Sequence, residues 1–190
     1  EVIQSTRLEN LDLISSNVDL SGLEVETADD SRRAFKLKDE LVAILNNSGL
    51  SYDYIIIDCP PSLSLLTLTG LVAANGVIIP MQCEYYALEG LTALIGTISR
   101  ITNRLNSELE IKGIVRTMFD PRNRLANEVS DDLVDHFGDL VFSTIIPRNV
   151  RLAEAPSYGL PIMYYDKQSR GARAHLALAG ELVKRLESGD

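Results

Sequence analysis

Apolar residues along this 190-residue chain follow two patterns that alternate from one end to the other. Short unbroken apolar runs are typical of β-strands buried on both faces, whereas apolar residues that recur every three or four positions indicate amphipathic helices. The unbroken runs predict strands at residues 11–15, 52–58, 77–80, 111–119 and 140–146. The helical spacing predicts helices at about residues 30–46, 62–74, 88–105, 129–137 and 172–186, and residues 1–6 resemble the end of another helix.

The alternation of strands and helices defines the expected fold class. The connections between the strands are long enough for crossover helices, and such connections join parallel strands. We therefore predict an α/β fold with a mainly parallel sheet and helices on both of its faces. No internal repeat or linker divides the sequence, so residues 1–190 are predicted to form a single domain.

The segment Tyr52–Pro61 carries the chemically most informative carboxylate. Residues 54–57 are predicted to form an interior strand with Asp58 at its carboxyl end, where an ionised side chain can reach solvent, a ligand or a metal. Pro60 and Pro61 cannot donate to a β-ladder, so they end the strand there. An apolar strand that ends in Asp has the form of a Walker B element, whose carboxylate holds the magnesium ion of a bound nucleotide, usually through water. A solvated aspartate or a helix cap fits the segment equally well.

Composition and charge narrow the classes of function. The chain is 45% hydrophobic and 24% charged, as is usual for a globular domain. Its apolar runs are far shorter than a membrane span and no leader-like segment opens the sequence, so we expect a cytoplasmic protein. The net charge of −9 argues against a uniformly basic nucleic-acid-binding protein. Residues 111–190, however, contain 11 Lys and Arg against 11 Asp and Glu, so we expect any anion-binding surface in that half.

Several strings of residues resemble a known family. They are Asp58-Cys59-Pro60-Pro61-Ser62, Gln82-Cys83-Glu84-Tyr85-Tyr86-Ala87-Leu88-Glu89-Gly90-Leu91, Gly113-Ile114-Val115-Arg116-Thr117-Met118-Phe119-Asp120 and Ile146-Pro147-Arg148-Asn149-Val150-Arg151-Leu152-Ala153-Glu154-Ala155-Pro156-Ser157-Tyr158-Gly159. The last string is the most specific. On these strings the chain resembles the ParA/Soj family of chromosome- and plasmid-partitioning ATPases, which implies a P-loop NTPase-like fold.

The resemblance implies a nucleotide site. Asp58 matches the Walker B and switch II aspartate of the family, so it would act in catalysis by holding Mg²⁺ through water. The residues that match nucleotide contacts are Asp58, Pro60, Met118, Pro147, Arg148 and Asn149. ATP and Mg²⁺ are the implied cofactors.

A glycine-rich phosphate loop that ends in Gly-Lys-Thr does not occur in these residues. Such a loop supplies the backbone amides and the lysine that cradle the phosphates. The chain is therefore interpreted as a ParA-type domain that lacks its N-terminal phosphate loop and switch I portion. We expect ATPase activity of the intact protein and negligible turnover by this chain alone, because phosphoryl transfer depends on positioning the phosphates and stabilising their charge.

Arg122 and Arg151 match arginines that bind nucleoid DNA in the family. Each lies in a loop directly after a predicted strand, and we expect few acidic residues close to them. Because a guanidinium suits phosphate geometry, the resemblance implies contact with DNA independent of sequence. Solvated loop arginines are the alternative. Further candidates are Lys167, Arg170 and Arg173.

The resemblance also implies partners. An ATP-bound homodimer would coat nucleoid DNA, and a ParB-type centromere-binding protein would stimulate hydrolysis and release. A MinD-like membrane-associated regulator is one alternative, but acids follow the basic residues within 184–190, which disfavours capture by a membrane. A truncated, non-enzymatic binding module is the other alternative.

Overall fold

The computed structural model describes residues 2–187, apart from the side chain of Ser48. Glu1, where the predicted N-terminal helix end begins, lies outside the described residues. Residues 188–190, which entered the argument against membrane binding, also lie outside them. The chain divides into two compact units, Glu1–Ala73 and Ala74–Asp190. None of the described helices is both long enough and apolar enough to cross a membrane.

The first unit is built from short elements. In chain order they are β1 (Gln4–Ser5), β2 (Asp12–Leu13), a 3₁₀ turn (Val18–Gly22), α1 (Leu23–Glu26), a second 3₁₀ turn (Arg33–Phe35), α2 (Lys36–Ser48) and α3 (Leu65–Ala73). β1 and β2 pair as an antiparallel hairpin. α2 ends at Gly49, whose left-handed backbone (φ 67°) is readily adopted by glycine. The hydroxyl of Tyr52 donates a hydrogen bond to the carboxylate of Asp12 at 2.8 Å, which ties the segment after α2 to the hairpin.

The strand predicted at residues 52–58 is wrong. Residues 49–64 contain neither strand nor helix, and the side chains of Ile55 and Ile56 are 48% and 90% exposed. A strand needs a neighbour that takes up its backbone N–H and C=O groups, and no strand of the described chain pairs with this segment. Asp58 therefore lies on an exposed irregular segment and does not end an interior strand. The helix end predicted at residues 1–6 is also wrong, because Gln4 and Ser5 belong to the hairpin.

The second unit contains a three-stranded parallel sheet in the order β3-β4-β5. The strands are β3 (Gly76–Gln82), β4 (Glu110–Phe119) and β5 (Val141–Pro147). The helices are α4 (Ala87–Arg104), α5 (Arg124–Phe137), α6 (Val150–Glu154), α7 (Ile162–Tyr165) and α8 (Arg170–Glu187), with 3₁₀ turns at Gly138–Leu140 and Ala155–Tyr158. The predicted fold class, an α/β protein with a mainly parallel sheet flanked by helices, is confirmed.

Element boundaries in this unit differ from the predictions where local chemistry sets them. α5 begins at Arg124, well before residue 129, because the side-chain oxygen of Asn123 accepts a hydrogen bond from the N–H of Leu125 at 3.1 Å and caps the helix. β5 includes Pro147, which pairs with Phe119 of β4. β3, β4, α4 and α8 lie within a few residues of their predicted positions, whereas the short helices α6 and α7 were not predicted.

Phe142 lies at the centre of the core of the second unit. It is fully buried and packs with Val115 and Ile146. Partly buried residues that cover this group are Leu152, Ala174, Leu178 and Leu182. Gly113 of β4 makes room for the ring, because a Cβ atom at that position would overlap the side chain of Phe142. The apolar stripe of α8 is thereby held against β5.

A carboxylate of α8 also satisfies backbone groups of β5. Oε1 of Glu181 accepts a hydrogen bond from the N–H of Ser143 at 2.7 Å, and Oε2 accepts one from the N–H of Thr144 at 2.9 Å. These consecutive amides lie where the register between β4 and β5 shifts. Arg185 donates to Glu181 at 3.2 Å and to the carbonyl of Val141 at 3.0 Å. Side chains of α8 thus form hydrogen bonds with backbone N–H and C=O groups of β5 that have no partner in the irregular β-ladder.

Candidate functional site

A cleft of about 330 Å³ opens at the carboxyl ends of the three strands of the second unit. Its walls come from the segments that follow the strands. The lining residues are Gln82, Cys83, Glu84, Met118, Phe119, Asp120, Asn123, Ala126 and Arg148. Ligands of open α/β sheets bind at this edge, because the loops that follow parallel strands converge there. The cleft is therefore the candidate ligand site of the second unit.

Two of the predicted nucleotide contacts, Met118 and Arg148, meet in this cleft. The backbone N–H of Arg148 donates to the carbonyl of Phe119 at 3.0 Å, which places the loop after β5 beside the end of β4. Met118 has a left-handed backbone conformation (φ 50°). Residues other than glycine rarely adopt this conformation, and those that do are found most often at functional sites. The parallel register of β4 and β5 thus brings together two residues that are far apart in sequence.

Two other predicted nucleotide contacts, Pro147 and Asn149, do not line the cleft. Pro147 pairs with Phe119 inside the sheet. Asn149 begins α6, and its side-chain oxygen accepts a hydrogen bond from the N–H of Arg151 at 2.9 Å. The side chain of Asn149 is therefore occupied as a helix cap in this structure. Nucleotide contact at these two positions stays a prediction.

Asp58 and Pro60 belong to the first unit. The side chain of Asp58 is exposed, and it takes part in none of the ion pairs found among residues 2–187. The hydroxyl of Thr67 in α3 donates to the carbonyl of Pro60 at 3.3 Å and to that of Ser62 at 2.5 Å, so the turn after Asp58 is anchored to α3. Burial raises the pKa of the Cys59 thiol, and the charge of Asp58 raises it further. An exposed carboxylate outside any ion pair of the described chain fits a Mg²⁺ ion that keeps its own water ligands.

Arg122 forms a two-pronged ion pair with Asp120. Its Nε donates to Oδ1 at 2.9 Å and its Nη2 donates to Oδ2 at 2.7 Å. The backbone N–H of Arg122 also donates to Oδ1, at 3.1 Å. These hydrogen bonds, above all those from the Arg122 side chain, lower the pKa of Asp120 to about 2. The side chain of Arg122 is still 88% exposed, so its outer face is open to solvent.

Arg151 is held by two carboxylates. Its Nη1 lies 2.8 Å from Oε2 of Glu154, and its Nε lies 3.5 Å from Oδ2 of Asp166. The hydroxyl of Tyr165 donates to the same oxygen of Glu154 at 3.1 Å. The hydrogen bonds from Arg151 and then from Tyr165 lower the pKa of Glu154. The side chain of Arg151 remains 54% exposed.

The expectation of few acidic residues close to these arginines is wrong. Arg124 is also paired, with its Nε 2.8 Å from Oε1 of Glu128. The reason is local geometry, because turns and the three- and four-residue spacings of helices bring such neighbours into contact. Arg148, in contrast, forms no ion pair within 4 Å in the described part of the chain.

Arg116 lies inside the apolar run of β4, and no role was predicted for it from the sequence. Its side chain is buried and donates to the hydroxyl of Ser130 and to the carbonyl of Phe142, each at 2.9 Å. Burial raises the pKa of the Cys83 thiol in the cleft wall, and the charge of Arg116 partly opposes that rise. A charged residue within an otherwise apolar strand was the signal that could have identified it.

A parallel sheet flanked by helices, with a ligand cleft at its carboxyl edge, is an architecture that P-loop ATPases share with other open α/β proteins. A family model described as an AAA domain matches residues 1–111. A Treponema pallidum protein named chromosome-partitioning ATPase Soj is 52% identical over 184 residues, which cover 97% of this chain and 71% of that protein. The chromosome partitioning protein ParA of Caulobacter vibrioides is 49% identical over 180 residues, which cover 95% of this chain and 67% of that protein. The chain belongs to the ParA/Soj family of chromosome-partitioning ATPases.

A solved structure shows a similar fold with ligands. It is described as a cobyrinic acid a,c-diamide synthase from Mycobacterium smegmatis with a bound ATP analogue and magnesium. It matches this chain with a TM-score of 0.81 at 33% identity, over all of this chain and 68% of that chain. The present chain also spans less than the full length of its curated relatives, for example 64% of a Pseudomonas putida protein that is 58% identical to it.

Proposed function

We propose that this chain is part of a partitioning ATPase that binds ATP with Mg²⁺, dimerises, binds DNA without sequence preference and is stimulated by a ParB-type partner. The observation that carries the proposal is the cleft in which Met118 and Arg148 meet, with the ion-paired Arg122 beside its wall residue Asp120. Membership of the ParA/Soj family supports the role in partitioning, and the cleft and the arginines are the surfaces proposed to bind the two ligands.

The cleft suits the base of a nucleotide. Its volume of about 330 Å³ lies at the small end of ligand pockets. Met118 provides a polarisable apolar contact for a flat ring, and Gln82 provides an amide that can accept and donate hydrogen bonds. Arg148 adds a positive charge that forms no ion pair within 4 Å among residues 2–187. These groups bind and orient a base and leave the phosphates to other parts of the protein.

Asp58 would hold Mg²⁺ through water, and the ion would neutralise phosphate charge during hydrolysis. Asp58 alone cannot position the phosphates, since no cradle of backbone amides and lysine is found in these residues. Residues 1–190 by themselves are therefore proposed to turn over a negligible amount of ATP.

Arg122 and Arg151 are proposed to contact DNA phosphates. Both are paired with carboxylates at the surface, and exposed ion pairs of this kind contribute little to stability, so a phosphate can replace the carboxylate at small cost. A guanidinium binds a phosphate with the same two-pronged geometry. Contacts to phosphate carry no sequence information, so binding is expected to be non-specific.

ATP turnover tests the enzymatic part of the proposal. We define the completed chain as residues 1–190 joined to the residues of the Caulobacter relative that they do not span. The completed chain should hydrolyse ATP in the presence of Mg²⁺, Asp58→Ala should abolish turnover, and residues 1–190 alone should show none above background. Turnover by residues 1–190 that disappears in Asp58→Ala would show that these residues suffice and that the proposal is wrong on this point.

A salt titration tests the DNA part. With ATP present, the completed chain should bind duplexes of unrelated sequence equally well and lose affinity steeply as salt rises. Arg122→Ala and Arg151→Ala should each weaken binding to every duplex and reduce the salt slope by about one for each phosphate contact that is lost. Arg100→Ala, at an exposed arginine of α4, is the matched control and should change neither quantity. If all three variants behave alike, Arg122 and Arg151 are ordinary surface arginines.

A further inference from the structure

The carboxylate of Asp120 belongs both to the wall of the cleft and to the ion pair with Arg122. Its Oδ1 accepts from the backbone N–H and the Nε of Arg122, and its Oδ2 accepts from Nη2. A carboxylate offers about four acceptor sites in total, so Oδ2 keeps one site for a further donor. The side chain of Asp120 is 28% exposed, which leaves room for such a donor to approach.

Asp120 also interacts with a second arginine of the cleft. The charge of Arg148, another lining residue, is among the causes of the lowered pKa of Asp120, after the hydrogen bonds and charge of Arg122. Asp120 is therefore hydrogen-bonded to Arg122 and also lies within the electrostatic influence of Arg148. Any ligand that engages Asp120 from within the cleft changes the electrostatic surroundings of both.

A DNA phosphate and Asp120 compete for the same donors of Arg122. Both anions bind a guanidinium through two parallel hydrogen bonds, and Nε and Nη2 of Arg122 are already occupied by Asp120. The side chain of Arg122 is 88% exposed, so a phosphate can reach it, and the exchange replaces two charge-assisted hydrogen bonds to a carboxylate with two to a phosphate. A modest change at Asp120 is then enough to shift Arg122 from its carboxylate to a phosphate.

We propose that Asp120 is a positioning residue that couples the cleft to DNA binding by holding Arg122 until a nucleotide base in the cleft donates a hydrogen bond to Oδ2. This inference rests on the proposed function, since it takes the cleft ligand to be a nucleotide and the ligand of Arg122 to be DNA. A donor on the remaining site of Oδ2 draws on the negative charge that holds Nη2, so occupation of the cleft weakens the Arg122–Asp120 pair and makes Arg122 more available for phosphate. By thermodynamic linkage, DNA must then strengthen nucleotide binding by the same factor.

Glu154 provides a matched comparison within the same chain. It holds Arg151 at 2.8 Å, as Asp120 holds Arg122, but it does not line the cleft. Neutralising Asp120 removes the carboxylate that holds Arg122, and neutralising Glu154 removes the shorter of the two ion pairs of Arg151 and leaves the longer one, to Asp166. Neutralising Asp120 should reduce the factor by which nucleotide increases DNA affinity, whereas neutralising Glu154 should leave that factor unchanged.

The experiment measures the affinity of the completed chain for a fluorescently labelled duplex, with and without a non-hydrolysable Mg-ATP analogue. Asp120→Asn keeps the shape of the side chain and removes its charge. It should raise nucleotide-free affinity roughly two- to fivefold, which is the range for exchanging an exposed ion pair, and lower the ratio of the affinities with and without nucleotide. Glu154→Gln should raise both affinities by a similar factor and leave the ratio unchanged.

Two further measurements distinguish coupling from a structural effect. Asp120→Asn should have no effect on DNA affinity in an Arg122→Ala background, because the arginine through which it acts is gone. The affinity for the Mg-ATP analogue, measured with and without DNA, should show the same reduced coupling factor in Asp120→Asn. If Asp120 acted only in folding, Asp120→Asn would change DNA affinity by the same factor in the unmodified chain and in Arg122→Ala.

The outcomes separate this inference from the function on which it rests. If Arg122→Ala weakens DNA binding but Asp120→Asn leaves the nucleotide dependence as in the unmodified chain, the coupling is refuted and the DNA role of Arg122 stands. An equal effect of Asp120→Asn in both backgrounds refutes it as well. If Arg122→Ala leaves DNA affinity unchanged, the DNA role of Arg122 and the coupling both fail.

Discussion

The carboxylate of Glu181 should be one of the larger single contributions of α8 to stability. It accepts hydrogen bonds from the amides of Ser143 and Thr144 at 2.7 and 2.9 Å and from Arg185 at 3.2 Å, and its side chain is 21% exposed. Glu181→Gln keeps the length of the side chain, but it removes the charge and turns an NH₂ group toward one of the two amides. One backbone N–H is then left without an acceptor.

The expected magnitude follows from the hydrogen bonds that the substitution removes. A hydrogen bond to a charged group contributes about 1.5–3 kcal/mol, and the partial exposure of Glu181 places the loss at the lower end, at about 2 kcal/mol. Urea unfolding of residues 1–190, followed by circular dichroism, measures it. Glu187→Gln, at an exposed glutamate of the same helix, is the control and should stay within about 0.5 kcal/mol of the unmodified chain.

The effect of Glu181 should depend on pH with a defined sign. Burial by itself would raise the pKa of Glu181, but hydrogen bonds from Thr144, Ser143 and Arg185 outweigh it and lower the pKa below the ordinary value of 4.5. Such a group stabilises the fold above its unfolded-state pKa, and this contribution is lost as the pH falls through the lower folded-state pKa. The difference between the unmodified chain and Glu181→Gln should therefore be largest at neutral pH and shrink below about pH 4.5. A difference under about 0.5 kcal/mol at neutral pH, or one that stays constant down to acid pH, would refute the reasoning.

Three further predictions concern the core, a helix cap and the rim of the cleft. Gly113→Ala should destabilise by about 1–3 kcal/mol, because the new Cβ overlaps the ring of Phe142, and a second change, Phe142→Leu, should make that substitution less costly in urea unfolding. Asn123→Ala should cost about 1 kcal/mol in the same assay through loss of the α5 cap, whereas Asn123→Asp should retain most of it. The carboxyl of Asp120 should titrate by NMR with a pKa of about 2 and return toward its ordinary value in Arg122→Ala; an unchanged pKa in that variant would mean that the ion pair does not form in solution.

The local pattern of apolar and polar residues was enough to predict most strands and helices of the second unit. The unbroken apolar runs at 77–80, 111–119 and 140–146 and the helical spacing at 88–105 and 172–186 correspond to observed elements, because burial on two faces or on one stripe leaves a periodic trace in the sequence itself. The parallel arrangement also followed from the sequence, since crossover connections are the way that consecutive strands become parallel. The family could be recognised from short strings of residues, and the similarity to named ParA and Soj proteins confirms it.

The segment around Asp58 shows where pattern fails. An apolar run indicates that burial of these residues is favourable. A strand, however, forms only where another strand pairs with its backbone N–H and C=O groups. Residues 49–64 have no such partner in the described chain. The meeting of Met118 with Arg148 likewise depends on the register between β4 and β5. The pairing of Arg122 with Asp120 depends on the conformation of a turn.

Local periodicity and strings of specific residues were enough to predict which residues favour strands and helices, the parallel fold class and the family. Only the folded chain sets which side chains share the cleft and that Glu181 takes up the amides of β5. The physical reason is that a contact between side chains depends on distances across the fold. Those distances are set by strand register, turn conformation and helix packing, none of which leaves a regular trace in the order of residues.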